Sequence, residues 1–234
     1  KSQHGIQTAN FYHDDENTFI NLSMTGIDTD YRGVELALEY RATSRLRLQG
    51  AASIGRYIYT SRPTATVTQD NNGQTLLSDI TVYARNLYVA GTPQTAYTGG
   101  ASYHSPKYWS LYVNVNRFEN NWINFNPIRR TAQAVELVEY QSDQWEKILS
   151  QEKTDPAWTL DISFYKSWRA NWVKNRAIIA LNIGITNLLN NQDYINGGYE
   201  QYRFDFDNRN PDTFPSRYSY MQGLNYFIQG SLRF

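Results

Sequence analysis

Period-two alternation of apolar and polar residues constrains this chain more than any other feature it carries. In the last segment Leu224, Tyr226, Ile228, Gly230, Leu232 and Phe234 share one face. Gly223, Asn225, Phe227, Gln229, Ser231 and Arg233 share the other, which is polar or small apart from Phe227. Upstream, Ile179, Leu181, Ile183 and Ile185 alternate with Ala180, Asn182, Gly184 and Thr186. The same split separates Trp158, Leu160, Ile162 and Phe164 from Thr159, Asp161, Ser163 and Tyr165, and Trp109, Leu111, Val113 and Val115 from Ser110, Tyr112, Asn114 and Asn116. Leu46, Leu48, Ala52 and Ile54 and then Val34, Leu36, Leu38 and Tyr40 repeat it, with a weaker case in Tyr97, Gly99, Ala101 and Tyr103. The pattern predicts about seven antiparallel strands, near 31–42, 45–60, 83–103, 108–118, 157–169, 176–187 and 217–234.

Alternation of this kind fits a soluble β-sandwich or lipocalin-like barrel as well as a membrane barrel. Polar-face residues such as Glu35, Glu39, Arg47 and Asp161 suit either solvent or a water-filled lumen. Two further features favour the membrane reading. Aromatics gather where the apolar rows end, with Tyr40, Tyr103, Trp109 and Trp168 at one end and Tyr57, Tyr59, Phe118, Trp122 and Trp158 at the other. Short connections at 42–45, 104–107 and 169–175 also alternate with long loops near 61–79, 119–156 and 189–216.

Composition excludes several classes. Lys+Arg 22 against Asp+Glu 22 leaves no net charge, so no basic excess is present for nucleic acid. Aromatics at 15% and charged residues at 19% argue against a disordered tail. A mean hydropathy of -0.62, with no long apolar run, gives no transmembrane helix but is compatible with spanning strands. The absence of cysteine removes thiol chemistry, Cys-ligated zinc and disulfides. His4, His13 and His104 match no zinc spacing, and no G-x-S-x-G is present, so the chain is not read as an enzyme and no cofactor is expected.

The final third carries a resemblance. Asn187-Leu188-Leu189-Asn190-Asn191 closes a strand, Gly197-Gly198-Tyr199-Glu200-Gln201-Tyr202-Arg203 follows, and Phe214-Pro215-Ser216-Arg217-Tyr218 opens the last strand, which ends Ser231-Leu232-Arg233-Phe234. This resembles the C-terminal end of TonB-dependent outer-membrane receptors. Asp161-Ile162-Ser163-Phe164-Tyr165-Lys166-Ser167-Trp168-Arg169 looks like their penultimate descending strand, and Tyr31-Arg32-Gly33-Val34-Glu35-Leu36 like an earlier Gly-x-Glu strand.

The resemblance implies an all-β fold. The chain would be an antiparallel transmembrane β-barrel wall forming the last strands of a barrel of about 22. It implies the outer membrane of a Gram-negative bacterium and import of a scarce nutrient driven by TonB. The implied partners are the rest of the barrel and its plug, the TonB complex acting through that plug, the barrel assembly machinery and outer-membrane lipid. A surface lipoprotein cap stays open. No TonB box or plug is recognisable, and the chain opens at Lys1, without an initiator Met or a leader. An odd strand number then reads as a receptor fragment, with 1–16 the remnant of an extracellular loop and 17–234 the barrel segment.

Within that resemblance, Tyr226, Ile228, Leu232 and Phe234 look like the assembly signal, an extended edge that pairs with the insertion machinery. Trp122, Tyr140, Trp145, Tyr199 and Tyr202 are candidate aromatics for stacking against a ligand. Inward-facing Glu35, Glu39, Arg41 and Arg47 are candidates to brace the wall and contact the plug. Asp205, Asp207, Asn208, Asn210 and Asp212 have the flavour of a calcium loop but lack its glycine and bidentate Glu, so they read as a solvated loop. The segment 128–153 is compatible with a short helix in a loop, read either as a lid or partner-binding surface or as a self-packed long loop. Two other functions stay in view: a soluble secreted protein binding carbohydrate through surface aromatics, and a small complete outer-membrane barrel.

Overall fold

The structure, a computed structural model, describes residues 1–13, 18–70, 73–170 and 177–233. Its strands are β1 (Ser2–His13), β2 (Thr18–Arg41), β3 (Leu46–Tyr59), β4 (Thr64–Gln69), β5 (Thr75–Thr81), β6 (Thr95–Ser105), β7 (Trp109–Glu119), β8 (Ala157–Ala170), β9 (Ala177–Thr186), β10 (Ile195–Tyr199), β11 (Arg217–Tyr220) and β12 (Asn225–Arg233). Two short helices, α1 (Ala132–Val135) and α2 (Asp143–Leu149), lie in the loop after β7. The fold is all-β and antiparallel. One sheet runs β12-β9-β8-β7-β6-β3-β2-β4-β5 with β1 added to β2, and β10 pairs with β11 separately.

The register turns the alternation into continuous rows. Tyr40, Leu48, Ala101, Val113, Ile162, Ile185 and Tyr226 are successive cross-strand partners over seven strands, so their side chains line one face. One residue along, Glu39, Gln49, Gly100, Asn114 and Asp161 form a polar row on the opposite face. Leu181 and Ile183 stand on the apolar face and Asn182 on the polar one, as the alternation predicts. Among the described residues nothing covers the apolar face: Val34, Leu38, Tyr226 and Ile228 are 73%, 67%, 67% and 65% exposed.

Among the described residues the sheet is open: edge strand β12 pairs only with β9, and β1 follows β2 only as far as Thr29, leaving the rest of β2 with β3 as its single neighbour.

At the long-loop end the wall becomes a packed lobe. Ile20, Leu22, Met24 and Ile27 of β2 are buried there with Tyr59, Ala65, Val67, Phe125, Ile128, Ile148 and Phe204. Gly26 takes a left-handed φ of 74, and the shift it introduces moves the buried set from even to odd positions. Ile20, Leu22, Met24, Ile27 and Thr29 therefore all stand on the polar-face side of the wall. The lobe packs against that side and leaves the apolar face bare.

Several sequence expectations need correction. β2 begins at Thr18, well before 31, because the Gly26 bulge interrupts the alternation. Residues 83–94 are not part of β6; Val82 and Ala84 are apolar because they fill the lobe core, and Gly91 at φ 83 and Pro93 break the extended chain. The 217–234 strand is two strands, since residues 221–224 turn away from β10 to start the pairing with β9. The 61–79 loop contains the hairpin strand β4 and most of β5, and residues 2–13 form a strand along β2. Of the second aromatic cluster, only Trp158 is on the apolar face. Tyr57, Tyr59 and Phe118 lie on the polar face, and Trp122 lies in the loop. Most of the short connection expected at 169–175 lies outside the described residues, as does Phe234.

Candidate functional site

The polar face is a hydrogen-bonded lining. Gln49 Nε2 donates to Asn114 Oδ1 at 2.9 Å, passing over Gly100, where a β-carbon would obstruct the pair. Thr98 Oγ1 donates to Asn116 Oδ1 at 2.8 Å, and Asn116 Nδ2 donates to Thr159 Oγ1 at 3.1 Å and to Asp161 Oδ2 at 2.9 Å. Arg47 and Glu39 stand 3.6 Å apart, both largely exposed, so this pair steers charge more than it stabilises.

Asn187 opens the connection from β9 to β12. Its left-handed φ of 51 is a conformation asparagine tolerates. Its amide donates to Asn191 O at 2.9 Å and Gln222 O at 3.0 Å, while Asn190 Oδ1 accepts from Leu224 N at 2.9 Å. The Asn-Leu-Leu-Asn-Asn motif is thus a knot that fixes where the last strand starts.

In the lobe, two loops far apart in sequence meet at a buried ion pair. Arg130 is 0% exposed and Glu200 3%. Arg130 Nη2 donates to Glu200 Oε1 at 2.8 Å, and Nη1 pairs with Oε2. Asn126 N also donates to Glu200 Oε2 at 2.8 Å, and Arg130 Nη2 reaches Ser150 O at 2.6 Å. Arg129 caps the same region through Ile148 O at 2.6 Å, and burial lowers its guanidinium to about 10, with the Arg130 charge adding to the effect.

Next to this clamp lies a cavity of about 630 Å³. Phe11 and Tyr12 come from β1, Phe19 from β2, Tyr199 from the end of β10, and Gln201, Tyr202 and Arg203 from the chain after it. Tyr202 meets Phe11 edge-on with centroids 5.6 Å apart, and Tyr12 meets Phe19 at 5.4 Å. Burial raises the Tyr202 phenol above its ordinary value, with the Tyr199 phenol adding to the effect. Aromatic walls with amide and guanidinium groups suit a ligand with apolar faces and polar edges.

The five candidate aromatics do not form one site. Tyr199 and Tyr202 line this cavity. Trp122 instead stacks on Tyr88, with centroids 4.2 Å apart and planes at 4°, and its buried Nε1 has no partner among the described residues. Trp145 of α2 pairs edge-on at 5.2 Å with Tyr140, which precedes the helix and is exposed. The segment 128–153 does hold helices, α1 and α2, packed by Ile148 into the lobe core. The sequence reading does not single out Phe11, Tyr12 or Phe19, and sees Arg203 only within the Gly197–Arg203 motif; the aromatics at 11, 12 and 19 are the available signal.

Tyr226, Ile228 and Leu232 lie exposed on the apolar face of edge strand β12. Among the described residues no cluster of His, Asp and Glu could hold a metal. Asp205 is held below the usual carboxylate range mainly by the Asn208 backbone amide, as in a closed turn. Searches against family models and curated proteins find no match for the chain.

Proposed function

We propose that the chain is part of the wall and outer loops of a TonB-dependent outer-membrane receptor that binds and imports a nutrient. The observation that carries this is the uncovered apolar row, continuous from Tyr40 to Tyr226, backed by a hydrogen-bonded polar face. Ten steps along β8, from Trp158 to Trp168, span about 33 Å, or about 25 Å of membrane normal at a tilt of about 40°. The lobe then folds over the mouth on the lumen side, and the cavity at Tyr199 and Tyr202 faces incoming ligand. Unpaired edges at β2 and β12 are not tolerated in lipid, which favours completion by further barrel strands over a small sealed barrel.

Partition tests the reading. The protein should sediment with the outer membrane and stay monodisperse only in detergent or lipid. A monodisperse species in plain buffer would instead support the soluble carbohydrate-binding alternative. Within the receptor, Tyr199→Ala and Tyr202→Ala should weaken ligand capture, whereas deleting Phe234 should lower surface abundance.

A further inference from the structure

Two cations at opposite ends of the apolar face each stand over a tryptophan, and among the described residues only one of the two is paired with an acid. At the long-loop end Arg117 lies over Trp158, 4.8 Å from the centroid, and its guanidinium is paired with Glu119. At the short-turn end Lys166 lies over Trp168, with Nζ 5.5 Å from the centroid. Lys166 and its neighbours Lys107 and Arg169 form no ion pair among the described residues.

Lys166 belongs to an apolar row. Its cross-strand partners are Trp109 and Leu181, and Phe164 and Trp168 flank it along β8 on the same face. The stem is thus covered by apolar groups, and the ammonium bends to the hairpin turn, where it donates to Lys107 O. That leaves most of its charge unanswered at the edge of the band.

The adjoining turn is built at a conformational cost. Tyr108 has a left-handed φ of 60, a position that asparagine or glycine would fill without strain. The tyrosine is 67% exposed, beside a cavity of about 390 Å³ lined by Tyr108, Lys166, Ser167, Trp168, Arg169 and Ile178. A strained exposed aromatic, an unneutralised cation and a tryptophan face around one hollow fit an anion that carries acyl chains.

We propose that this rim binds the phosphate headgroup of an anionic glycerophospholipid, with Lys166 on the phosphate and Tyr108 and Trp168 beside the glycerol, while the acyl chains run along the apolar row. The proposal rests on the membrane reading above, and insertion is measured separately from lipid choice.

The intact receptor, extracted in mild detergent, is titrated with phosphatidylglycerol, phosphatidylcholine or inorganic phosphate, and bound lipid is counted by native mass spectrometry. Phosphatidylglycerol should bind in preference to phosphatidylcholine. Lys166→Gln should weaken it about tenfold, the loss of one charge-assisted contact, while Lys166→Arg restores it. Arg117→Gln, at the opposite end, should leave binding unchanged. Equal binding of both lipids, or no effect of Lys166→Gln in a receptor that still inserts into phosphatidylcholine nanodiscs, overturns the site. Displacement of phosphatidylglycerol by millimolar inorganic phosphate would make it a free-anion site and equally overturns the lipid assignment. A chain that never enters nanodiscs defeats the membrane reading itself.

Discussion

Phe227 lies over Gly184, its direct partner across the β12–β9 ladder, and its ring fills the space a β-carbon on Gly184 would need. This accounts for the one bulky apolar residue on the polar face of the last strand. The ring covers bare backbone on the neighbouring strand, and the glycine gives it room to lie flat. Gly184→Val should displace the ring and cost about 1–3 kcal/mol, as overpacking does. Phe227→Ala should cost less, and adding it to Gly184→Val should recover part of the loss. Unfolding midpoints of the three variants decide this; additive losses would mean that the contact carries no energy.

The Arg130–Glu200 pair makes the lobe cooperative. Removing one partner leaves the other charge buried, at about 3–5 kcal/mol for Glu200→Ala. Replacing both by apolar residues of similar volume, as in Arg130→Met with Glu200→Leu, should be milder. Hydrogen exchange at the Asn126 amide, which donates to Glu200, reads the effect locally. Protection there that survives Glu200→Ala would remove the clamp from the account.

Much of the wall is legible in the sequence because most residues of a row meet a partner of the same kind on the next strand. Ile162, Ile185 and Val113 announce one face without knowledge of their register. The lobe is not legible in this way. Its apolar residues satisfy a core assembled from distant pieces, so Val82 and Ala84 imitate a strand, and Ile20, Leu22 and Met24 change phase at Gly26. Arg130 and Glu200 lie 70 positions apart with no local motif to join them. The cavity was half visible: Tyr199 and Tyr202 stand in a recognisable motif, whereas Phe11, Tyr12 and Phe19 acquire meaning only when the hairpin folds beside them.

High pH should open the lobe before the wall. Burial pushes the Tyr59 phenol up to about 12, with the Tyr31 and Tyr202 charges adding to it. Burial and the hydrogen bond to Glu152 push Tyr218 up to about 12 as well. A folded pKa above the unfolded value near 10 means that the folded state holds its proton longer. Stability from these groups is therefore complete below about pH 10 and is lost as pH rises toward about 12. Absorbance of ionised tyrosine should lag behind that of the unfolded chain over this window. Tyr59→Phe should remove its share of the lag, and a lag unchanged in that variant would refute the assignment.

The two faces of β9 give the sharpest test of the wall. Ile183 sits between Phe164 and Ile228 on the apolar face, and its neighbour Asn182 sits between Tyr165 and Gln229 on the polar one. Against lipid, a cation at the Ile183 level should cost about 2–4 kcal/mol, because the charge loses its water near the middle of the band. Against a wet lumen, the same cation one residue away keeps its water and stands between Tyr165 and Gln229. If the apolar face meets lipid as proposed, Ile183→Arg should therefore lower both the membrane level and the denaturant midpoint of the protein in lipid, and Asn182→Arg should change either far less. In a soluble fold the bare apolar face would itself be in water, and Ile183→Arg would be close to neutral. Equal tolerance at the two positions would thus count against lipid on either face, and a larger loss at Asn182 would reverse which face meets it.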